Sequence, residues 1–230
     1  MNELLWVSSI PLAYLLYRGT KVTYNDVKAY YKNEKLDNLS DEKFDEKVKI
    51  IGVGGGGSAI VEYLSNKYPN RYDSIILNSD KKALTSRDVI NKIHLEKSDD
   101  FGCGSNTLCG YNLINDSVIE KLKSFINTDN KVFIFATLGG GCGSGSVRAL
   151  SQYLPMKDLD IQYLLTTPFS WEGLKRTNRA NETIEFLKNN NAKTTIFSND
   201  ELLKFGNMSI KDCFNKQDEE FDKLIKLSSK

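Results

Sequence analysis

Two glycine-rich segments are the residues in this sequence best suited to bind a charged ligand. The first, residues 52–58, reads GVGGGGS, and the second, residues 139–145, reads GGGCGSG. Glycine permits tight turns and leaves backbone N–H groups accessible, and the amino end of a following helix carries partial positive charge. Such segments therefore suit phosphate groups. The first segment is not a Walker A loop, because no Gly-Lys-Ser/Thr follows it.

Each glycine-rich segment lies between an apolar run and a helical pattern. Short apolar runs and helical stretches alternate along the chain, which predicts an α/β fold with a mostly parallel sheet and helices on both faces. Two such segments in one parallel sheet can flank a phosphate chain from opposite sides. A third small-residue segment, residues 101–110 (FGCGSNTLCG), suits a loop that senses a terminal phosphate. The predicted strands cover residues 48–53, 74–77, 131–136, 161–166 and 194–197, and the predicted helices include residues 116–126, 147–153 and 177–188.

Composition excludes several classes of function. The 230 residues contain 31 Lys plus Arg against 30 Asp plus Glu, so no strong positive field favours a nucleic-acid partner. The chain has one histidine, His94, and four cysteines without a C-x-x-C pair. A metal site and a disulfide framework are therefore not expected, and the cysteine usage is typical of a cytoplasmic protein. Catalysis by a Ser-His or Cys-His pair would depend on His94 alone.

The amino-terminal residues differ from the rest of the chain. Residues 4–17 (LLWVSSIPLAYLLY) are apolar, and residues 32–47 form a polar, lysine- and aspartate-rich stretch. The apolar run is shorter than the roughly 20 residues that span a bilayer as a helix. Two interpretations stay open: the run packs on protein, or it contacts the inner face of a membrane. The predicted division is an apolar segment plus linker over residues 1–47 and a main domain over residues 48–230.

Six motifs resemble those of the FtsZ/tubulin family, in the same order and spacing over about three quarters of the chain. The most specific is residues 139–145, which resemble the signature G-G-G-T-G-[ST]-G. The others are residues 52–59 (GVGGGGSA), which resemble the first glycine loop, residues 78–84 (NSDKKAL) for N-T-D-x-x-A-L, residues 101–106 (FGCGSN) for the third loop, residues 168–176 (PFSWEGLKR) for P-F-x-F-E-G-x-x-R, and residues 198–203 (SNDELL) for P-N-D-x-L-L.

The resemblance implies a three-layer, Rossmann-like domain that binds GTP or GDP, with Mg²⁺ held through the phosphates. It assigns the α- and β-phosphates to the two glycine segments and the γ-phosphate to Gly104 and Ser105. The residues that it places on the nucleotide are Gly54, Gly55, Gly56, Gly57, Ser58, Asp80, Gly104, Ser105, Gly139, Gly140, Gly141, Cys142, Gly143, Ser144, Gly145, Pro168, Glu172, Arg176, Asn199, Phe214, Asp218 and Glu219.

The resemblance also implies how the rest of the nucleotide is bound. Glu172 and Arg176 hold the ribose and phosphate region, and Phe214 stacks on the base. Asn199 and an acidic pair, Asp218 and Glu219, contact the guanine edge. A carboxylate can accept hydrogen bonds from guanine N1–H and N2–H₂, which adenine does not offer.

Three departures from the family pattern affect the expected activity. Ala59 replaces an asparagine after the first glycine segment, and Cys142 replaces the central threonine of the signature. Only 11 residues follow Glu219 (230 − 219), and they lack the acidic N-x-D-x-x-D pattern with which relatives complete a neighbouring active site. No catalytic residue is assigned, and the expected activity is GTP binding with weak or partner-dependent hydrolysis.

Three functions remain as hypotheses. The first is a GTP-dependent switch or assembly protein that associates with itself or with a longer relative. The second is a self-sufficient, polymerising GTPase. The third is an NAD-binding oxidoreductase built on the first glycine motif, for which Asp80 lies near the position of the ribose-binding acid. The second glycine segment counts against the third hypothesis, because a dehydrogenase has no use for it.

Overall fold

The fold is a three-layer α/β sandwich around a parallel sheet, as the sequence predicts. The computed structural model describes residues 47–97, 102–127, 131–156, 159–205 and 208–228. The apolar run at residues 4–17 and residues 32–46 of the polar stretch lie outside these ranges. Six strands pair in the order β3-β2-β1-β4-β5-β6, and every pairing is parallel. The strands are β1 (Val48–Val53), β2 (Tyr72–Asn78), β3 (Asn91–His94), β4 (Lys131–Thr137), β5 (Asp160–Thr167) and β6 (Lys193–Ser198).

Seven α-helices connect or follow these strands in the described ranges. Two short 3₁₀ helices, Ser170–Glu172 and Asn199–Phe205, lie at the carboxyl ends of β5 and β6. The α-helices are α1 (Gly54–Lys67), α2 (Lys81–Thr85), α3 (Thr107–Asn112), α4 (Asp116–Ile126), α5 (Gly141–Tyr153), α6 (Leu174–Asn189) and α7 (Ile210–Ser228).

Successive side chains of each central strand pack alternately into two hydrophobic cores, one on each face of the sheet. In β4, Ile134 packs with α4, α5 and α6 on one face of the sheet, whereas Phe133 and Phe135 pack with α1 and α7 on the other. All three side chains are fully buried. Because side chains alternate across a strand and helices cover both faces, the strand must be apolar along its whole length.

The sequence pattern did not predict β3, and it placed the first residues of two helices later in the chain than the structure does. Strand β3 lies at the sheet edge, and Ile93 is its only buried residue, so it has no apolar run to reveal it. Helices α1 and α5 begin at Gly54 and Gly141, inside the segments predicted to be loops. Glycine lowers helix propensity, which hides these first turns from a periodicity argument.

Helix α7 is held on the sheet by an aromatic cluster and a buried ion pair. Phe221 packs edge-to-face on Phe135 and Phe197, with ring centroids 5.4 and 4.6 Å away. The buried Asp222 carboxylate accepts a hydrogen bond from Arg71 Nη1 at 2.5 Å and another from the Tyr72 hydroxyl. These contacts fix the position of α7 and hence of the side chains near its amino end.

Candidate functional site

A cleft of about 800 Å³ opens at the carboxyl ends of the strands, bordered by α1, the ends of β4, β5 and β6, and the start of α7. Helix α1 follows β1 on one face of the sheet, and α5 follows the neighbouring strand β4 on the other. The strand order therefore reverses between β1 and β4, and open α/β sheets bind ligands at such a switch point. Seven of the predicted site residues line the cleft: Gly56, Pro168, Glu172, Arg176, Asn199, Phe214 and Asp218.

Helices α1 and α5 begin without a side-chain cap. The N-cap residues are Val53 and Gly140, and neither provides a side-chain acceptor. By contrast, Asp80, Asn106 and Asn115 cap α2, α3 and α4 by accepting hydrogen bonds from backbone N–H groups. The first N–H groups of a helix have no partner within the helix, and together with the helix dipole they favour an anion. The two glycine-rich helix starts are thus suited to phosphates.

The glycines of the site fall into two groups by what a side chain would meet. An added Cβ would lie 2.2 Å from the Phe135 carbonyl oxygen at Gly57, and 2.0 Å from the Thr107 carbonyl oxygen at Gly145. These two glycines serve close packing. At Gly55 and Gly140, by contrast, an added Cβ would meet no atom within 4 Å in the described structure. Packing does not explain these two glycines, which lie at the starts of the two uncapped helices α1 and α5.

Packing also accounts for other predicted glycines. Gly54 and Gly139 have positive φ angles of 72° and 95°, which favour glycine. A Cβ on Gly54 would lie 2.9 Å from the Gly143 nitrogen, so the two glycine-rich segments contact each other directly. Ser58 is fully buried on α1, and its hydroxyl has no partner in the described part of the chain.

The third predicted loop closes against the second glycine-rich segment. Gly141 N–H donates to the Gly104 carbonyl at 2.7 Å, and Cys103 N–H donates to Ser79 Oγ at 3.1 Å. Ser144 Oγ accepts from Gly139 N–H at 2.8 Å, so this hydroxyl holds the shape of its own segment. The structure therefore brings the three predicted phosphate loops into contact with one another, and among their residues Gly56 lines the cleft.

A disulfide joins Cys103 and Cys109, whose Cα atoms lie 5.6 Å apart. The sequence spacing did not predict this pairing. The bond closes the short loop that carries Gly104 and Ser105 and ties it to α3. Cys142 and Cys213 are free thiols, and Cys142 lies half-buried in the first turn of α5.

The opposite end of the cleft contains buried polar groups. Asn199 follows β6 and is 6% exposed, and its Oδ1 atom accepts no hydrogen bond from any described residue. Asp218 is also 6% exposed; burial, with a smaller contribution from the Glu219 charge, raises its pKa to about 8. Phe214 packs edge-to-face on Phe169, 6.1 Å between centroids, and forms an aromatic wall beside them. This end can accept hydrogen bonds from a flat polar ring.

Three predicted site residues, Glu172, Arg176 and Glu219, are already engaged in contacts with the protein. Glu172 Oε1 accepts from Phe169 N–H at 2.8 Å, and Oε2 pairs with Arg176 Nη1 at 2.7 Å. Glu219 is turned away from the cleft lining and binds Lys67 and the Tyr63 hydroxyl on α1. The predicted acidic pair is therefore split, with Asp218 in the cleft and Glu219 outside it.

Several residues of the cleft were absent from the predicted set. Thr137 and Thr166 lie at the carboxyl ends of β4 and β5, and the buried Thr166 hydroxyl has no partner among the residues that the structure describes. Arg87 pairs with Glu62 at 2.7 Å and also donates to the Gly55 carbonyl. A threonine at the end of a buried strand was the available signal, because strand ends meet at the site.

This arrangement is typical of a nucleotide-binding α/β domain: two glycine-rich helix starts contact each other at the carboxyl ends of neighbouring strands, and buried polar groups line the cleft. Comparison with known sequences gives the family. Residues 47–207 match the Tubulin/FtsZ family, GTPase domain, and the chain belongs to that family.

Individual relatives agree with this assignment. The cell division protein FtsZ of Mycoplasmopsis pulmonis is 32% identical over 169 residues, which are 73% of this chain and 43% of the relative. The empty FtsZ dimer of M. jannaschii superposes with a TM-score of 0.66 and 27% identity, covering 82% of this chain and 55% of that one. CetZ2 of Haloferax volcanii, in its GTPγS-bound protofilament, gives a TM-score of 0.69 at 20% identity, covering 80% and 59%.

The chain spans about half the length of the curated relatives that it matches. Within the described ranges, no helix has both the length and the apolar character needed to cross a membrane.

Proposed function

We propose that this chain binds GTP and GDP in the cleft and acts as a nucleotide-dependent switch or assembly protein. The observation that carries the proposal is the unpartnered Asn199 Oδ1, which lines the same cleft as the buried Asp218 and as Gly56 in the first turn of the uncapped helix α1. A buried acceptor without a partner costs free energy, which a ligand donor would recover. Guanine offers two such donors on one edge, N1–H and N2–H₂.

The phosphate end supports a polyphosphate tail. Gly55 and Gly140 border open space, and the first N–H groups of α1 and α5 have no side-chain acceptor. Asp80 Oδ1 already accepts from Ala83 N–H in the α2 cap. Any Mg²⁺ would therefore be held chiefly through the phosphates rather than by this carboxylate.

We further propose that hydrolysis is weak or depends on a partner. The carboxylates that line the described cleft are Glu62, Glu172 and Asp218. The first two are paired with Arg87 and Arg176, and Asp218 lies at the base end. A residue to position the attacking water would then come from another copy or from a longer relative, as in a filament; CetZ2 is described as a protofilament.

The cytoplasm is the proposed location, and contact of residues 4–17 with the inner face of a membrane is part of the same proposal. Deleting residues 1–21 should abolish sedimentation of the protein with lipid vesicles. Unchanged sedimentation would refute membrane contact by this segment and leave the nucleotide proposal intact.

Titration of the purified protein with GTP, GDP, ATP and NAD tests the central proposal. We expect GTP and GDP to bind, and ATP and NAD to bind at least about 100-fold more weakly, because the guanine donors are lost. Asn199→Ala should weaken both guanine nucleotides, while the matched variant Asn215→Ala, at the cleft edge on α7, should have a smaller effect. Preferential NAD binding would instead support the oxidoreductase hypothesis.

A further inference from the structure

Arg179 on α6 joins two loops that the family resemblance assigns to the nucleotide phosphates. Its Nε atom donates to the Gly139 carbonyl at 2.8 Å, and its Nη2 atom donates to Ser105 Oγ at 3.3 Å. Gly139 begins the second glycine-rich segment, and Ser105 belongs to the disulfide-closed loop. One planar guanidinium therefore spans both loops.

The charge of Arg179 is not balanced by a carboxylate anywhere in the described part of the chain. Both of its hydrogen-bond partners are neutral. The two arginines that line the cleft differ in this respect, since Arg176 pairs with Glu172 and Arg87 pairs with Glu62, each at 2.7 Å. A guanidinium free of carboxylate partners is the more available cation for an anionic ligand.

The two loops that Arg179 joins contain no basic residue of their own, and two of their glycines face open space. Residues 102–106 and 139–145 contain no Lys or Arg. An added Cβ at Gly104 or Gly140 would meet no atom within 4 Å in the described structure. Gly104 and Gly140 are the chain neighbours of Ser105 and Gly139, so both open positions adjoin a group that Arg179 contacts.

We propose that Arg179 binds the terminal phosphate of a nucleoside triphosphate and so makes this site prefer the triphosphate to the diphosphate. This inference rests on the proposed function. In the ligand-free structure the guanidinium holds the two loops together; with a triphosphate, one of its N–H groups bonds a terminal phosphate oxygen. Arg176 remains paired with Glu172 and shapes the turn at residues 170–173.

The test measures the binding of a slowly hydrolysed GTP analogue and of GDP, both with Mg²⁺. The variants are Arg179→Gln and Arg179→Lys, and the matched control is Lys175→Gln, one turn earlier on α6. Arg179→Gln loses a charge-assisted hydrogen bond to the terminal phosphate. Its affinity for the analogue should therefore fall about 10- to 100-fold, and its affinity for GDP less than about three-fold. Arg179→Lys should retain part of the preference, and Lys175→Gln should match the wild type.

GDP affinity serves as the control for folding, because a variant that disrupts the loops generally would lose both nucleotides. If Arg179→Gln lost affinity equally for both nucleotides, or lost affinity for neither, the proposed role of Arg179 would be overturned. Failure of the wild-type protein to bind any guanine nucleotide would instead overturn the proposed function.

Discussion

Asp218 combines two opposing requirements at one carboxyl group. Burial raises its pKa to about 8 in the ligand-free protein, with a smaller contribution from the Glu219 charge, yet accepting guanine N1–H and N2–H₂ with both oxygens needs the ionised carboxylate. The carboxyl group is therefore mostly protonated at neutral pH before ligand binds. Guanine binding should accordingly release a proton, and GTP affinity should rise as the pH increases toward about 8.

Stability should show the reverse dependence on pH. Between pH 4 and about 8 the folded protein keeps a proton on Asp218 that the unfolded chain loses, so the free energy of unfolding falls as the pH rises through this range. Asp218→Asn should remove this contribution and should melt higher than the wild type at pH 8.5, with little difference at pH 4.5. Thermal melts of the ligand-free protein at several pH values measure this effect.

Asp212→Asn, at an exposed carboxylate in the first turn of the same helix, is the matched control and should leave the pH profile nearly unchanged. The interpretation would be wrong if Asp218→Asn shifted the melting temperature equally at pH 4.5 and pH 8.5.

Gly57 and Gly55 should respond differently to the same substitution. Gly57→Ala would place a methyl group 2.2 Å from the Phe135 carbonyl oxygen and should cost more than about 2 kcal/mol of unfolding free energy. Gly55→Ala meets open space and should change stability by less than about 1 kcal/mol, because alanine favours the helix. Its methyl group would nevertheless crowd a bound phosphate. Urea unfolding and GTP titration of both variants separate the two roles, and a stable Gly55→Ala with unchanged affinity would place the phosphates elsewhere.

The packing of α7 depends on Asp222, which links this helix to β2. Its carboxylate accepts from Arg71 and Tyr72 and pairs with Lys226 at 3.3 Å, and its side chain is 3% exposed. Asp222→Asn leaves buried cations without their counter-charge and should lower the free energy of unfolding by about 3–5 kcal/mol. Chemical denaturation measures the loss.

Glu220→Gln, which breaks an i,i+3 pair with Lys223 on the same helix, is the control and should cost less than about 1 kcal/mol. GTP affinity should also fall in Asp222→Asn, because Asp218 and Phe214 depend on the same helix for their positions. Similar stability losses for the two variants would show that the buried pair does not anchor α7.

Individual elements were predictable to the extent that they carry a periodic pattern. The apolar run in β4 and the helical pattern of α4 were recognised because burial on a sheet face or helix face imposes spacing on the residues. The 3₁₀ helix Asn199–Phe205 and the short helix α3 have no such stripe. Neither was predicted as an element. The motif at residues 198–203 identified Asn199 without showing that this side chain is buried and that its Oδ1 has no partner among the described residues.

For the molecule as a whole, the parallel sheet explains why the site lies where it does. The carboxyl ends of β1, β4, β5 and β6 meet at one edge, so segments separated by up to 162 residues in the chain line a single cleft. Gly56 and Asp218 are such a pair. Because the cleft has no carboxylate free to position a water at its phosphate end in the described ranges, the single chain should hydrolyse GTP slowly.

Phosphate release measured against protein concentration tests this expectation. The rate per chain should be low and should rise only when a longer relative is added, if that partner supplies the acidic residue. A rate per chain that rises steeply with concentration of this protein alone would favour the self-sufficient, polymerising GTPase. A high rate that is independent of concentration would contradict the requirement for a second chain.

The local amino-acid sequence by itself specified the strand–glycine–helix units and the family motifs, because turns, helix starts and apolar runs depend on neighbouring residues. These features indicated the proposed class of ligand. Only the tertiary structure specified which polar and charged atoms remain available to a ligand. Glu172 and Glu219, both assigned to the nucleotide, pair with Arg176 and Lys67, whereas Arg179 retains an uncompensated charge between two loops. Hydrogen bonds and ion pairs between distant residues depend on distances that the linear order does not contain, and so the partners of each polar group emerge only when the sheet assembles.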